Sequence, residues 1–206
     1  SIAESKGEQW YLSDTLSAAI GQSYNSFSPL QMARYVSIVA NGGNYITPTL
    51  IKEIKDADGN KVSKEEIRGY VNALLGVNTA STSDLKVSKE TLDTVKAGMR
   101  LVTSPGGTAY SPFKDFKKSV AGKTGSAQAK ITVNGKVKEI ANGWFVGFTP
   151  YKNPEVAVVV MLEDGATDSY AAKTARKILD AYYKLDIKDD EVKEDTSASV
   201  YTETQR

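Results

Sequence analysis

The sequence has no cysteine and no histidine in its 206 residues. Without cysteine there is no disulfide, no thiol nucleophile and no cysteine-based zinc site. Without histidine there is no Ser-His-Asp triad and none of the common histidine-containing zinc centres. Acid–base chemistry therefore falls to Lys, Asp, Glu or Tyr, with Ser or Thr as available nucleophiles. An excess of one charge is also lacking, since 26 basic side chains nearly cancel 25 acidic ones. That balance steers the chain toward neither nucleic acid nor an anionic membrane. No apolar run is long enough to span a bilayer, and no signal-peptide pattern opens the chain. The first residue is Ser1 rather than Met, so any anchor is expected in a part preceding it. The lack of cysteine fits an extracytoplasmic protein, although many cytosolic proteins lack it too.

What is present is ordinary for a globular chain, 40% hydrophobic and 25% charged. Residues 1–20 form a polar lead-in that passes into Leu12 and its neighbours, and Gly21-Gln22-Ser23-Tyr24-Asn25 reads as a turn. A helix follows, with Ser28 as N-cap, Pro29 at the first position and Gln31 completing a capping box. Leu30, Ala33, Val36 (or Ile38) and Ala40 are its expected apolar stripe, and Asn41-Gly42-Gly43 its stop. Residues 45–54 read as extended, with Pro48 restricting them to an edge or an irregular strand. Asp56-Ala57-Asp58-Gly59-Asn60 has acidic spacing but not the glycine or closing glutamate of a calcium loop, so a hairpin turn is expected. Residues 64–86 show only weak periodicity, and 78–84 are Ser/Thr-rich loop material.

A second helix is predicted from Ser88, with Leu92, Val95, Met99 and Val102 on one face. After the loop Ser104-Pro105-Gly106-Gly107-Thr108-Ala109 come the strand signals. Ile131-Thr132-Val133 and Lys136-Val137 flank Asn134-Gly135, the signature of a type I′ hairpin. Gly143-Trp144-Phe145-Val146-Gly147-Phe148 reads as a further strand. Residues 155–162 are the most apolar run and are expected as a central strand needing a neighbour on each side, which this chain need not supply in full. A last helix over about 169–183 is expected to turn Ala172, Ala175, Ile178, Leu179 and Tyr182 inward. Successive strands on short turns, with helices before and after, predict an α+β domain built on an antiparallel sheet flanked by helices. Residues 1–185 would form that domain, and 186–206 an acidic, solvated tail.

The stretch around which this is organised is Ser119-Val120-Ala121-Gly122-Lys123-Thr124-Gly125-Ser126-Ala127-Gln128. On a strand, Thr124, Ser126 and Gln128 share one face, while Lys123 and Gly125 lie on the other. A cation, hydroxyls and bare backbone N–H groups suit an anion or a developing oxyanion. The plainer alternative is a polar edge strand whose lysine blocks association of sheets.

Lys123-Thr124-Gly125-Ser126-Ala127-Gln128 resembles the lysine–threonine–glycine box of penicillin-binding proteins and serine β-lactamases. The segment from Gly21-Gln22 through Ser28-Pro29-Leu30-Gln31-Met32-Ala33 to Asn41-Gly42-Gly43 resembles the one following the second active-site motif of class B penicillin-binding proteins. Pro105-Gly106-Gly107-Thr108-Ala109 is similar to the loop preceding the box there, and Asn142-Gly143-Trp144-Phe145-Val146-Gly147-Phe148-Thr149-Pro150 to the strand after it. The resemblance implies the C-terminal part of a transpeptidase domain with a β-lactamase/transpeptidase-like fold, incomplete in this chain. The family's Ser-x-x-Lys nucleophile box and Ser-x-Asn box lie upstream. Here Ser83-Asp84-Leu85-Lys86, Ser111-Pro112-Phe113-Lys114 and Ser23-Tyr24-Asn25 match those patterns only as text, in the wrong order or context.

The resemblance implies peptidoglycan D,D-transpeptidation. A serine attacks the bond between the last two D-alanines of a stem peptide, D-alanine leaves, and an amine takes the acyl group, with β-lactams halting at the acyl stage. Lys123 would supply positive potential near the substrate carboxylate and the proton-transfer groups, with a pKa open to lowering by its neighbours. Thr124 would face packing, Gly125 would clear space for the substrate, and the Ser126 hydroxyl would bind the carboxylate. The Ser126 N–H would be half of an oxyanion hole. Thr124, Gly125, Ser126 and Gln128 are the implied substrate-binding set, and the substrate would lie antiparallel along this edge. Implied partners are peptidoglycan stem peptides, β-lactams and the N-terminal remainder of the same protein. No cofactor or metal is implied, and the implied place is the extracytoplasmic face of a bacterial membrane. A β-lactam-sensing domain, a serine β-lactamase and a plain interaction module remain as alternatives.

Overall fold

The computed structural model of the chain describes residues 7, 9–22, 25–46, 48, 53–75, 87–164 and 168–185. Its helices are α1 (Leu12–Ala19), α2 (Pro29–Ala40), α3 (Lys64–Leu75), α4 (Lys89–Val102), the four-residue α5 (Tyr110–Phe113) and α6 (Asp168–Tyr182). The strands β1 (Ala121–Val133), β2 (Lys136–Thr149) and β3 (Val156–Leu162) form an antiparallel sheet in the order β1-β2-β3. The α+β architecture expected from the sequence is the one observed.

Several local signals act as expected. At α2 the Ser28 hydroxyl accepts from the Gln31 N–H, and the Gln31 side chain accepts from the Ser28 N–H. Ser88 caps α4 by accepting from the Thr91 N–H at 3.1 Å. Asn134 and Gly135 both have positive φ, 50° and 73°, as a type I′ turn demands. Residues 56–60 form the expected hairpin turn. Asp56 N–H donates to the Asn60 carbonyl, and Lys55 bridges Lys61 across it.

Other expectations are corrected. The separate strand signals on either side of Asn134-Gly135 are two long strands, paired without interruption from Ala121↔Phe148 to Val133↔Lys136. The apolar run at 155–162 is β3, which pairs with β2 on one side; among the described residues no strand lies on its other side, the second neighbour that this chain need not supply. Helices α1 and α3 lie where periodicity gave none. The signal for α3 is a cap rather than a stripe: the Ser63 hydroxyl accepts from the Glu66 N–H at 3.1 Å. Ser111-Pro112-Phe113-Lys114 is also not plain loop, because its first three residues lie in α5. Residues 78–84, Ser83-Asp84-Leu85-Lys86, Ser23, Tyr24 and the tail at 186–206 lie outside the described residues.

The sheet is covered on both faces. On one face Val120, Phe145, Val158 and Val160 pack with Phe113, Phe116 and the inner residues of α6: Ala171, Ala172, Ala175 and Leu179. On the other, Ala121, Val146 and Phe148 pack with Val36 and Ala40 of α2. Alanines let α6 approach the sheet closely, while Ile178 and Tyr182 are exposed rather than inward, Tyr182 against the ring of Tyr183. Leu30 and Val95 are likewise exposed. The stripe of α2 is instead Met32, Val36 and Ala40, spaced four apart as one helix face requires. Helix α4 reaches both clusters, Met99 into one and Val102 into the other. Phe145 and Phe148 are fully buried, each contributing roughly 1.5–3 kcal/mol by transfer from water.

Candidate active site

Strand β1 is fixed at its start by α4 and the loop that follows it. The Thr103 hydroxyl donates to the Val120 carbonyl at 2.5 Å, and the Arg100 guanidinium donates to the same oxygen at 3.3 Å. The loop then doubles back so tightly that a Cβ on Gly107 would sit 2.2 Å from the Leu101 carbonyl oxygen. Only glycine fits there. This turn delivers Thr108, whose hydroxyl lies 2.9 Å from that of Thr124. Thr124 is thereby buried and points into packing, as the sequence reading expected.

Strand alternation then sets the remaining side chains. Thr124, Ser126 and Gln128 share the face of Phe145, opposite which Thr124 is registered. Lys123, Gly125 and Ala127 share the other face with Val146 and Trp144. Lys123, Ser126 and Gln128 are exposed. The Lys123 ammonium donates to the Thr124 carbonyl and makes no ion pair among the described residues. The two glycines differ. A Cβ on Gly122 would collide with the Phe145 ring at 2.5 Å and the Val146 carbonyl at 2.9 Å. A Cβ on Gly125 would meet only the Trp144 Cβ, at 3.8 Å, which is ordinary contact. Packing inside the described chain explains Gly122 but not Gly125.

The outer edge of β1 has no strand partner among the described residues. In an antiparallel strand the N–H and C=O of one residue point to the same side, and that side alternates along the chain. The carbonyls of Val120, Thr124 and Ser126 accept from Thr103, Lys123 and the Gln22 side chain, none of them on β2. The Ser119 carbonyl, of the other parity, accepts from Tyr151 N–H and the Thr149 hydroxyl at the end of β2. The even-numbered residues therefore turn their backbone groups outward, and the Ser126 N–H points to the open edge. An open edge with an outward N–H, an exposed hydroxyl and a cation beside a bare glycine can take an extended acyl substrate bearing an anionic group.

The family model described as the penicillin binding protein transpeptidase domain matches residues 2–183. The chain belongs to this family. It is 34% identical over 184 residues to the peptidoglycan D,D-transpeptidase MrdA of Haemophilus influenzae, covering 84% of this chain and 26% of that protein. It is 36% identical over 178 residues to penicillin-binding protein H of Bacillus subtilis, covering 84% of the chain and 23% of the relative. The crystal structure of Pseudomonas aeruginosa PBP2 in complex with WCK 5153 superposes with a TM-score of 0.68 at 30% identity, over 89% of this chain and 36% of that one. The chain thus spans about a quarter of the length of the curated relatives it matches.

Within this transpeptidase fold the sequence-predicted residues Lys123, Thr124, Gly125, Ser126 and Gln128 lie together on the open half of β1. Sequence reasoning missed two supports. Thr108 and Gln22 sit inside segments that carried the resemblance, but nothing local assigns either a contact with β1. Among the described residues no cluster of acidic side chains is arranged for a metal, and no helix is long and apolar enough to cross a membrane.

Proposed function

We propose that this chain forms the Lys-Thr-Gly wall of the active site of a peptidoglycan D,D-transpeptidase that cross-links the cell wall and is acylated by β-lactams. The observation that carries the reading is the open edge of β1. Gly125 lacks a side chain there without any demand from the described residues, beside Lys123 and the outward backbone of Ser126. In this reading Lys123 supplies positive potential, and the Ser126 N–H stabilises the tetrahedral oxyanion, a contribution on the order of 3 kcal/mol for such a donor. The Ser126 hydroxyl and Gln128 bind the stem peptide, whose backbone lies along the strand. Thr124, tied to Thr108, fixes the strand from behind. The attacking serine comes from an N-terminal remainder of the same protein, which carries Ser-x-x-Lys and Ser-x-Asn.

Residues 1–185 act as the C-terminal part of the catalytic domain, a division supported by the family match over 2–183. The protein works at the extracytoplasmic face of the membrane, held by a segment preceding this chain. Pseudomonas aeruginosa PBP2 has been crystallised in complex with WCK 5153, and a ligand seated at the β1 edge is the corresponding expectation here. The test is cross-linking by the complete protein with a pentapeptide donor and an amine acceptor. D-Alanine release coupled to a new cross-link, blocked by penicillin, supports transpeptidation. Rapid hydrolysis of a chromogenic cephalosporin would replace it with a β-lactamase, and acylation without cross-linking with a sensor.

A further inference from the structure

The Gly21-Gln22 pair supports β1, and the site described above gives that support no part in the chemistry. Its local structure is a helix stop. Helix α1 ends at Ala19, Gly21 adopts φ +83° and donates to the Ala18 carbonyl at 3.0 Å, and the Gln22 N–H donates to the Ser17 carbonyl at 2.9 Å. This is the paired bonding of a Schellman motif, in which glycine takes the left-handed position and the next residue usually makes an apolar contact. Here that next residue is Gln22, and its backbone is held on the other side as well. The Asn25 side-chain amide donates to the Gln22 carbonyl at 3.1 Å and to the Ala18 carbonyl at 2.9 Å. Backbone bonds thus fix the Cα of Gln22 from both directions. Its side chain is left to reach 104 positions along the sequence, where Nε2 donates to the Ser126 carbonyl at 3.3 Å.

That carbonyl belongs to the residue whose N–H faces the open edge. From this geometry we infer that Gln22 is a positioning residue for acyl transfer, and that its amide holds the Ser126 peptide groups in the orientation the acyl donor meets. The inference rests on the reading of the β1 edge as the acyl-donor site. Both edge groups of Ser126 are set by the same φ and ψ, so restraining the carbonyl restrains the N–H. A carbonyl oxygen has two lone pairs. The Ser126 oxygen can keep Gln22 on one and accept a donor's backbone N–H on the other. Acyl donors with a backbone N–H beside the scissile carbonyl, such as peptides and acylamino β-lactams, would depend on Gln22 more than donors without one.

The test uses the complete protein and a fluorescent penicillin, resolving the limiting acylation rate from the half-saturating concentration, with melting temperature measured alongside. Gln22→Ala is expected to lower the limiting rate about fivefold, the scale of one net hydrogen bond, with little change in melting temperature. Gln22→Glu presents an acceptor to an acceptor while ionised. Its deficit relative to wild type is expected to exceed that of Gln22→Ala at neutral pH and to shrink as pH falls through the carboxylate range. Wild-type rates in both variants would overturn the inference. So would losses that follow melting temperature alone, with no pH-dependent difference between the two. A Lys123→Met control separates the readings. If that variant is silent while both Gln22 variants behave as wild type, only the Gln22 inference fails. If it acylates normally, the site itself is wrong.

Discussion

Two glycines flank Lys123 in the sequence, and the structure predicts opposite outcomes for replacing them. Gly122→Ala would place a methyl 2.5 Å from Cζ and 2.8 Å from Cε2 of Phe145, and 2.9 Å from the Val146 carbonyl oxygen. Phe145 is fully buried and cannot swing aside without disturbing Phe113, whose ring stacks on it at 5.3 Å. Overpacking of this kind costs about 1–3 kcal/mol, and relief of glycine's conformational entropy returns only about 0.5–1 kcal/mol. Gly122→Ala is therefore expected to lower stability by roughly 1–2 kcal/mol, a fall of several degrees in melting temperature. Gly125→Ala meets nothing closer than the Trp144 Cβ at 3.8 Å. Its stability is expected to be unchanged or to rise by up to about 1 kcal/mol. If the acyl donor lies over Gly125, the same methyl intrudes on it, and acylation is expected to slow by about tenfold or more. Thermal unfolding and fluorescent-penicillin labelling of the complete protein measure both quantities. A Gly125→Ala protein as unstable as Gly122→Ala yet acylated at the normal rate would refute the reasoning.

Other expectations are briefer. Ser126→Ala in the complete enzyme should slow β-lactam acylation on the order of tenfold, the scale of a hydrogen bond to a charged carboxylate; an unchanged rate would remove that assignment. Tyr183 gives a pH-dependent test. Burial and its hydrogen bond to Glu155 at 3.1 Å push its phenol up from 10.0 to about 12. Because the folded-state pKa is raised, the stabilisation is complete below pH 10 and is lost as pH rises from there toward 12. Tyr183→Phe should remove that part of the alkaline slope in denaturant titrations, and an identical slope in both proteins would contradict it.

Much of this was written locally in the chain. Ser28-Pro29 and Ser88 mark helix starts, and Asn134-Gly135 marks a turn, because capping and turn geometry depend on residues within a few positions. The box at Lys123-Thr124-Gly125 was legible for the same reason. Helix α3 was missed because its core-facing pattern is weak, and its start lies in the Ser63-to-Glu66 cap. The length of β1 and β2 was missed because Ala129-Lys130 and Ile140-Ala141 carry no strand signal of their own and are extended by pairing across the hairpin. An apolar run reports burial but not neighbours, so the pairing of β3 with β2 comes from the structure alone. The contacts of Thr108 and Gln22 with β1 span 16 and 104 positions, beyond any periodicity. Nor does sequence separate Gly122 from Gly125, since only the position of Phe145 tells which one the core requires.

If this chain is one wall of a penicillin-reactive acyl-transfer site, its nucleophile lies elsewhere in the protein. Labelling the complete protein with fluorescent penicillin and mapping the acylated serine by peptide mass spectrometry tests it most directly. A label is expected on a serine preceding Ser1, lost in Lys123→Met, with no label on this chain alone. A label on Ser83 or Ser111 would contradict it.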